Sequence, residues 1–404
     1  MKFLTYFCYL ICLVLLSACQ NVNEPEVTES ITMSTIRIAT FNVSMEANNY
    51  QTDKTNTTPI TALKSALTNG KHRQIRNIAE IIQRTRPEII LLNEFDYIEN
   101  PEQGINQFIT QYLQVSQKGE AAIDYPHLYL APVNTGVKTP IQAKGTKLTH
   151  YGFGHYPGQY GMVLLSQYPI DKKNIRTFQK FLWQDMPDHM MPVDENGNSW
   201  YSEHEQNIMR LSSKSLWDVP VNLCGQTIHL LASHPTPPVF DGTEDRNGRR
   251  NHDEIRFWRD YIEGNNQSYH YDDKNQRGGI KDTQPFVILG DLNASSLEGD
   301  AHPNAISQLL NHEKINNYSA PKSKGGLENK PNSQHAATHT AAWGMRADYV
   351  LPSNNLVVKN SGVFWPTSEE ETVRLVEDRA ASSDHRLVWA DVEVPTNPEC
   401  SSGK

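Results

Sequence analysis

The strongest constraint on the fold of this chain is a series of short apolar segments with the length and composition of buried β-strands. Segments with helical periodicity lie between them, so strand-like and helix-like patterns alternate. This alternation predicts one α/β unit without internal repeats. The seven strand-like segments are residues 36–43, 88–93, 162–166, 226–233, 286–289, 348–351 and 386–394.

Polar side chains stand at the ends of six of these predicted strands. Four segments run into such residues, and the last two segments begin with them. If the last two strands run antiparallel to the first four, all of these side chains meet at one edge of a sheet. The residues are Asn42, Glu94, His234, Asp291, Asn293, Asp348, Asp384 and His385.

The oxygen-rich part of this set indicates which ion it would bind. The carboxylates of Glu94, Asp291 and Asp384, with the amides of Asn42 and Asn293, suit Mg²⁺, Mn²⁺ or Ca²⁺. A structural zinc site would use Cys and His instead. Each residue taken alone is better explained as a turn former or a packed side chain, so the prediction depends on the whole set.

Helical periodicity is clearest in residues 71–84, where four apolar residues recur three or four positions apart and Pro87 follows. A second helix is predicted over residues 250–262. Four long polar segments are expected to be loops, and loops of such length are often functional. These segments are residues 44–70, 131–160, 184–207 and 265–284.

The order and composition of the strand-like segments resemble the endonuclease/exonuclease/phosphatase superfamily, which has the deoxyribonuclease I-like fold. The matching motifs span residues 36–394 and are TFNV, LLNEFD, GMVLLSQYPI, LLASHPTPP, VILGDLNA, RADYVLPS and SSDHRLVWADV. GDLN followed by a distant SDH is fairly specific, and the full ordered set is strongly so. The resemblance implies a four-layered α/β sandwich with two packed mixed β-sheets and the active site at one edge.

The resemblance also implies roles in metal binding. Glu94 would be the principal ligand, supported by Asn42 and Asp384, and Asp291 would contribute to the same site. Asp291 and Asn293 would together position the attacking water and the phosphate. The implied cofactor is Mg²⁺, with Mn²⁺ or Ca²⁺ as alternatives.

Two histidines and one further carboxylate complete the implied catalytic set. His385 would act as general base or stabilise the phosphate, with Asp348 as the carboxylate partner that fixes its tautomer and raises its pKa. His234 resembles the second histidine of the nuclease branch, which protonates the leaving oxygen. That histidine has an acidic partner in the nuclease branch, and residues 159–161 offer no acid at the matching place.

Three closely spaced arginines stand in the middle of the segment PTPPVFDGTEDRNGRRNHDEIRFW, which follows His234. Arg246, Arg249 and Arg250 are expected either to bind a second phosphate or backbone phosphate through paired hydrogen bonds, or to form a salt-bridged loop that caps the next helix. The interleaved acids leave both alternatives open.

The N-terminus has the pattern of an export signal. A basic start and a short apolar stretch lead to Leu16-Ser17-Ala18-Cys19, which resembles the bacterial lipobox and predicts a lipidated Cys19. Gln20 after the cysteine favours the outer membrane of a Gram-negative bacterium, on its periplasmic or cell-surface face. The predicted division of the chain is a signal peptide (1–18), a lipid-anchored polar tether (19–33), one endonuclease/exonuclease/phosphatase domain (34–396) and a C-terminal tail (397–404).

Charge narrows the function further. The chain has 37 Lys and Arg against 46 Asp and Glu, and this net charge of −9 excludes a basic protein that coats nucleic acid by charge alone. The leading hypothesis is a divalent-metal-dependent, nuclease-like phosphodiesterase outside the cytoplasm, acting on a phosphate ester, with nucleic acid as one candidate substrate. The alternatives are a phosphomonoesterase or lipid-headgroup phosphodiesterase of the same fold (inositol-phosphate phosphatase or sphingomyelinase-like), and a surface binding protein without turnover. The sequence leaves the oligomeric state open, as well as the pairing of Cys224 with Cys400.

Overall fold

The computed structural model describes residues 32–51, 58–223, 225–264 and 269–396. The strands in this part of the chain are β1 (Thr32–Met45), β2 (Ile89–Phe95), β3 (His127–Tyr129), β4 (Met162–Ser166), β5 (Arg176–Thr177), β6 (Leu216–Leu223), β7 (Gln226–Ser233), β8 (Phe286–Asp291), β9 (Asp348–Pro352), β10 (Val357–Val363) and β11 (Val388–Thr396). The α-helices are α1 (Pro59–Asn69), α2 (Arg73–Thr85), α3 (Ile105–Phe108), α4 (Glu203–Gln206), α5 (Arg246–Ile262), α6 (Ser307–Leu310) and α7 (Lys324–Asn329).

The strands form two mixed sheets. The first has the order β10–β11–β1–β2–β4–β3, and the second has the order β5–β6–β7–β8–β9. β1 pairs with β2 in parallel and β7 with β8 in parallel, whereas β11 and β9 run antiparallel to β1 and β8. The predicted reversal of the last two polar-ended strands is therefore confirmed. Because Asp291 lies opposite Asp348 in the β8–β9 register, both carboxylates reach the same edge.

Two hydrophobic cores give the molecule four layers. The larger core packs α1 and α2 against the first sheet and the first sheet against the second, and the smaller core packs α5 on the outer face of the second sheet. Successive residues of β8 show this division, because Val287 and Leu289 join the larger core while Ile288 joins the smaller one. The four-layered α/β sandwich with two packed mixed sheets is confirmed.

Helix α2 follows its sequence pattern closely. The four residues of its predicted stripe, Ile75, Ile78, Ala79 and Ile82, are all fully buried. It ends at Thr85, where Arg86 adopts a left-handed conformation with φ of 50° before Pro87. The helix therefore starts two residues later and ends one residue later than predicted.

Several elements differ from the sequence prediction, among them α1, β6 and β10. Helix α1 occupies part of the predicted loop 44–70, with Pro59 in its first turn, a side-chain cap from Thr58 and a left-handed Gly70 after its last residue. Strand β6 was not predicted because Asp218 and Pro220 interrupt its apolar run. Its buried Asp218 is satisfied by His229 and by the hydroxyl of Tyr261, at 2.6 Å each. Strand β10 was missed because it is largely polar and exposed.

Several N- and C-terminal predictions fall outside the described residues. The signal peptide, Cys19, nearly all of the tether, Cys224, Cys400 and the tail 397–404 belong to this group. Strand β1 runs from Thr32, the first described residue, and pairs with β11. Within the described ranges, no helix combines the length and apolarity needed to cross a lipid bilayer.

Candidate active site

Asp291 is the centre of the polar edge. Asn42 Nδ2 donates to Asp291 Oδ2 at 3.0 Å, and the Nε2 atoms of His234 and His385 lie 3.4 Å and 3.5 Å from the same oxygen. Asp291 is only 1% exposed, and this burial raises the pKa of its carboxyl. The positive charge of His385 lowers the pKa, but the effect of burial is larger. Three side chains from separate strand ends thus surround one oxygen of Asp291.

Backbone contacts hold Asp291 and Asn293 in place. The Asp291 N–H donates to Asn93 Oδ1 at 3.1 Å, and the Asn293 N–H donates to Asp291 Oδ1 at 3.0 Å. Asn293 has a φ of 53°, a left-handed conformation that is costly for a residue with a Cβ. Its Nδ2 donates to the carbonyl of Pro235 at 3.2 Å. The Asn293 side chain is therefore fixed beside the loop that follows β7.

His385 and Asp348 form a buried pair behind Asp291. His385 Nδ1 lies 2.9 Å from Asp348 Oδ2, which also accepts a hydrogen bond from Thr340 Oγ1 at 2.7 Å. Burial lowers the pKa of His385, but the charges of Asp348 and Asp291 outweigh it and raise the pKa to about 10. The imidazole is therefore charged at neutral pH and directs its Nε2–H towards Asp291.

Asp291, Asp348 and His385 could also be considered as a metal site, because their potential ligand atoms lie within 4.8 Å of one another. The hydrogen bonds favour a different interpretation. Asp348 Oδ2 is already bound by Thr340 and His385, whereas Asp348 Oδ1 is buried without a hydrogen-bond partner. These three residues form a buried network of ionisable side chains.

A second cluster of carboxylates surrounds Arg379. Its guanidinium lies 3.2 Å from Glu46, 3.6 Å from Asp384 and 4.0 Å from Glu94. Burial raises the pKa of Glu46 to about 8, and the charge of Glu94 adds to this effect. Glu94 itself has a φ of 58°, which directs it out of β2 towards the cluster. One guanidinium therefore faces three acids, and the cluster keeps an excess of negative charge.

The Arg379 cluster fits a divalent cation. Its ligand atoms are all carboxylate oxygens, and Glu46 Oε2 is buried without a hydrogen-bond partner. Glu94, Asp384 and Glu46 would hold the ion. Asn42 is less available than predicted, because its Oδ1 accepts from the Ser44 N–H at 3.1 Å while its Nδ2 binds Asp291.

Arg379→Gln is expected to strengthen Mn²⁺ binding about 3- to 10-fold, because the charged guanidinium of Arg379 no longer competes with Mn²⁺ for the carboxylates. Glu46→Gln is expected to weaken Mn²⁺ binding by a similar factor. Free Mn²⁺, measured by electron paramagnetic resonance, gives both affinities without any activity assay. Arg73→Gln is the matched control, since Arg73 is an exposed arginine that pairs with Glu377 outside the cluster. Weaker binding in Arg379→Gln would contradict this assignment.

In the described part of the chain, no acid forms a hydrogen bond with His234 Nδ1, although Nε2 of the same ring lies 3.4 Å from Asp291. The Nδ1 atom is buried without a hydrogen-bond partner. Burial lowers the pKa of His234 well below its usual range, and the nearby charges of Lys214 and His385 lower it further. The imidazole is therefore neutral at pH 7 and offers a hydrogen bond to a leaving oxygen rather than a proton from an imidazolium.

The three predicted phosphate-binding arginines have protein partners. Arg246 pairs with Glu244 and donates to the carbonyl of Phe240 at 2.9 Å, and Arg249 lies 4.0 Å from Asp245. Arg250 is buried, and its guanidinium donates to the carbonyls of Leu211, Arg210 and Tyr151. These contacts correspond to the salt-bridged alternative. We therefore leave the three arginines out of the substrate site.

Helix α5 fixes the loops around the site through main-chain atoms. The two carboxylate oxygens of Glu254 accept from the N–H groups of Ser213, at 2.8 Å, and Thr236, at 2.6 Å. Asn251 Nδ2 donates to the carbonyls of Thr236 and Leu292 at 2.9 Å and 3.0 Å. Arg250 also donates to the carbonyls of residues 210 and 211. One helix therefore holds the three loops around residues 210–213, 236 and 292.

Sequence reasoning missed Glu46, Arg379 and Lys214. All three lie on loops, where no apolar periodicity marks a side chain as pointing towards the site. Only the position of Arg379, four residues before the SDH motif, offered a weak signal.

Comparisons with known proteins address the fold and the family. A family model described as Endonuclease/Exonuclease/phosphatase family matches residues 39–385. The chain is similar to an endonuclease/exonuclease/phosphatase from Beutenbergia cavernae, at 16% identity over 90% of this chain and 72% of that chain, with a TM-score of 0.47. It is also similar to an endonuclease/exonuclease/phosphatase family protein from Leptotrichia buccalis (13% identity, 89% and 100% covered, TM-score 0.44) and to sphingomyelinase C from Streptomyces griseocarneus (14% identity, 89% and 99% covered, TM-score 0.42). No curated protein matches the chain.

Proposed function

The chain belongs to the endonuclease/exonuclease/phosphatase family, whose members hydrolyse phosphoester bonds, and from this premise we propose that it is a divalent-metal-dependent phosphodiesterase. The observation that carries the proposal is the convergence of His385, His234 and Asn42 on one buried oxygen of Asp291. Such a set can position a water molecule and stabilise a phosphate at the same place.

The chain's own residues suffice for most of the reaction. Asp291 orients the attacking water and accepts its proton as the water oxygen bonds to phosphorus. The charged His385, held by Asp348, stabilises the negative charge on a phosphoryl oxygen. Neutral His234 donates a hydrogen bond to the leaving oxygen as its bond to phosphorus breaks, and the proton of the released alcohol comes from solvent.

The proposed cofactor is Mg²⁺, with Mn²⁺ or Ca²⁺ able to replace it. Held by Glu94, Asp384 and Glu46, the ion would neutralise charge on the phosphoryl oxygens. The acid cluster around Arg379 supports this part of the proposal.

A substrate screen tests the proposed function. Purified protein with Mg²⁺ is offered plasmid DNA, RNA, bis-p-nitrophenyl phosphate, p-nitrophenyl phosphate, inositol phosphates and sphingomyelin, and an Asp291→Asn preparation controls for contaminating hydrolases. We expect diester cleavage that stops with EDTA and returns with added Mg²⁺, Mn²⁺ or Ca²⁺. Phosphate release from monoesters alone would replace a phosphodiesterase with a phosphatase. Chelator-resistant cleavage would remove the metal from the proposal.

We also propose that the protein is exported and held on the outer membrane by lipid at Cys19. The support is the sequence Leu16-Ser17-Ala18-Cys19 after a short apolar stretch. Cys19→Ser is expected to abolish incorporation of radiolabelled palmitate and to leave the chain unprocessed. Cys12→Ser, within the apolar stretch, should retain full labelling. Labelling of Cys19→Ser would contradict the lipid anchor.

A further inference from the structure

Lys214 is a buried lysine at the active site that the proposed reaction does not use. It precedes β6 and is only 4% exposed. Its Nζ donates to the carbonyl of Pro235 at 3.5 Å, and this carbonyl also accepts the hydrogen bond from Asn293 Nδ2. The ammonium and the Asn293 amide therefore meet at one oxygen, directly after His234 in the chain.

The ammonium has spare hydrogen-bonding capacity. It carries three N–H donors, and the contact with Pro235 is long for a hydrogen bond. In the described part of the chain, no carboxylate lies within ion-pair distance of its Nζ; Glu254 binds two backbone N–H groups instead. Burial lowers the pKa of Lys214, against the charges of Glu254, Glu94 and Asp291. A buried ammonium with so few partners is costly unless a ligand completes its contacts.

The placement of Lys214 is built into the fold. The carbonyl of Lys214 accepts a hydrogen bond from the Asn134 N–H at 2.9 Å, and its N–H donates to Ser212 Oγ at 3.2 Å. The N–H of the preceding residue, Ser213, donates to Glu254. The side chain therefore projects from a loop that is fixed on both sides.

Polar atoms on the two loops that carry Lys214 and Pro235 also lack partners. Ser213 Oγ, Thr236 Oγ1 and His234 Nδ1 are buried without hydrogen bonds. Buried hydroxyl and imidazole groups are normally satisfied by protein, water or ligand. Asp291 and His385 are buried to a similar extent as Lys214. The burial of Lys214 is therefore compatible with a place in the same site.

We propose that Lys214 is a further substrate-binding residue, whose ammonium binds a phosphoryl oxygen beside Asn293. Together with His385 it places two positive charges beside the phosphoryl oxygens, where negative charge develops during diester hydrolysis. This inference deepens the proposed function and depends on it for the identity of the bound group as a phosphate.

Binding of inorganic phosphate to the Mg²⁺-loaded full chain tests the inference by isothermal titration calorimetry. Loss of one charge-assisted hydrogen bond in Lys214→Met should weaken phosphate binding about 10- to 100-fold. Lys214→Arg keeps the charge and should stay within a few-fold of wild type. Lys314→Met is the matched control, because Lys314 Nζ binds the carbonyl of Ile262 at the opposite end of α5. A folded Lys214→Met protein with wild-type phosphate affinity would overturn the inference.

A second measurement uses only the wild-type chain and covers the case in which Lys214→Met does not fold. Crystals soaked with tungstate, a phosphate mimic, should show a tungstate oxygen within hydrogen-bonding distance of Lys214 Nζ. Tungstate bound at the site beyond reach of Nζ would overturn the inference. The two proposals can fail separately. If the wild-type protein hydrolyses no ester but binds phosphate through Lys214, only the proposed function is contradicted. If the enzyme is active but its phosphate affinity does not change when Lys214 is replaced, only this inference is contradicted.

Discussion

Asp291→Asn is expected to lower kcat about 100- to 10,000-fold with little change in fold. The amide has nearly the same shape as the carboxylate but cannot accept a proton from water. It also removes the charge that both histidines and Asn42 surround. Because Asp291 is already costly to ionise in its buried position, we expect the melting temperature to stay the same or rise.

Initial rates on the best ester from the substrate screen, with circular dichroism as the test of folding, check this result. Asp282→Asn is the control, since Asp282 is an exposed aspartate that pairs with Lys314 far from the site. A folded Asp291→Asn enzyme with near wild-type kcat would show that another group activates the water. This result would contradict the proposed reaction.

His385→Gln is expected to lower kcat by a comparable factor, because it removes the charge that faces the phosphoryl oxygen. Asp348→Asn should cost less, about 10- to 100-fold, since Asp348 acts by orienting and charging the imidazole. The double variant should be no slower than His385→Gln alone. Residues that act as one unit give such non-additive effects.

The fold contains a matched pair for this experiment. His229 and Asp218 form a buried His–Asp contact of 2.6 Å in the second sheet, without contact to Asp291. His229→Gln should reduce the melting temperature but leave kcat unchanged. If Asp348→Asn slows the His385→Gln enzyme further, then Asp348 has a role independent of the imidazole, and the pair is not the unit described here.

The sequence predicted the side chains around Asp291 because strand ends follow a local rule. A buried strand must be apolar, so Asn42, Asp291 and His385 stand out where that apolar run ends or begins. To predict that these side chains converge, only the direction of the last two strands had to be assumed. The antiparallel β8–β9 and β1–β11 pairings confirm that direction. The chemical roles of these residues remain proposals.

The residues on loops could not be predicted in the same way. Arg379 reaches Glu46 across more than three hundred positions, and no short-range pattern encodes that contact. Arg250 shows the converse case. Its position in an arginine-rich segment left phosphate binding and a salt-bridged loop both open, and the start of α5 buries it against carbonyls of another loop. Burial decided its partners, and burial depends on the whole fold.

The main-chain contacts of α5 have a consequence for how this site can change. Arg250, Asn251 and Glu254 recognise carbonyl and N–H groups that every replacement residue except proline would retain. Side chains on the three loops can therefore be exchanged while their paths stay fixed, so a new substrate preference can arise without rebuilding the catalytic edge. Directed evolution of this enzyme should accordingly randomise Ser213 and Thr236 and leave the helix untouched.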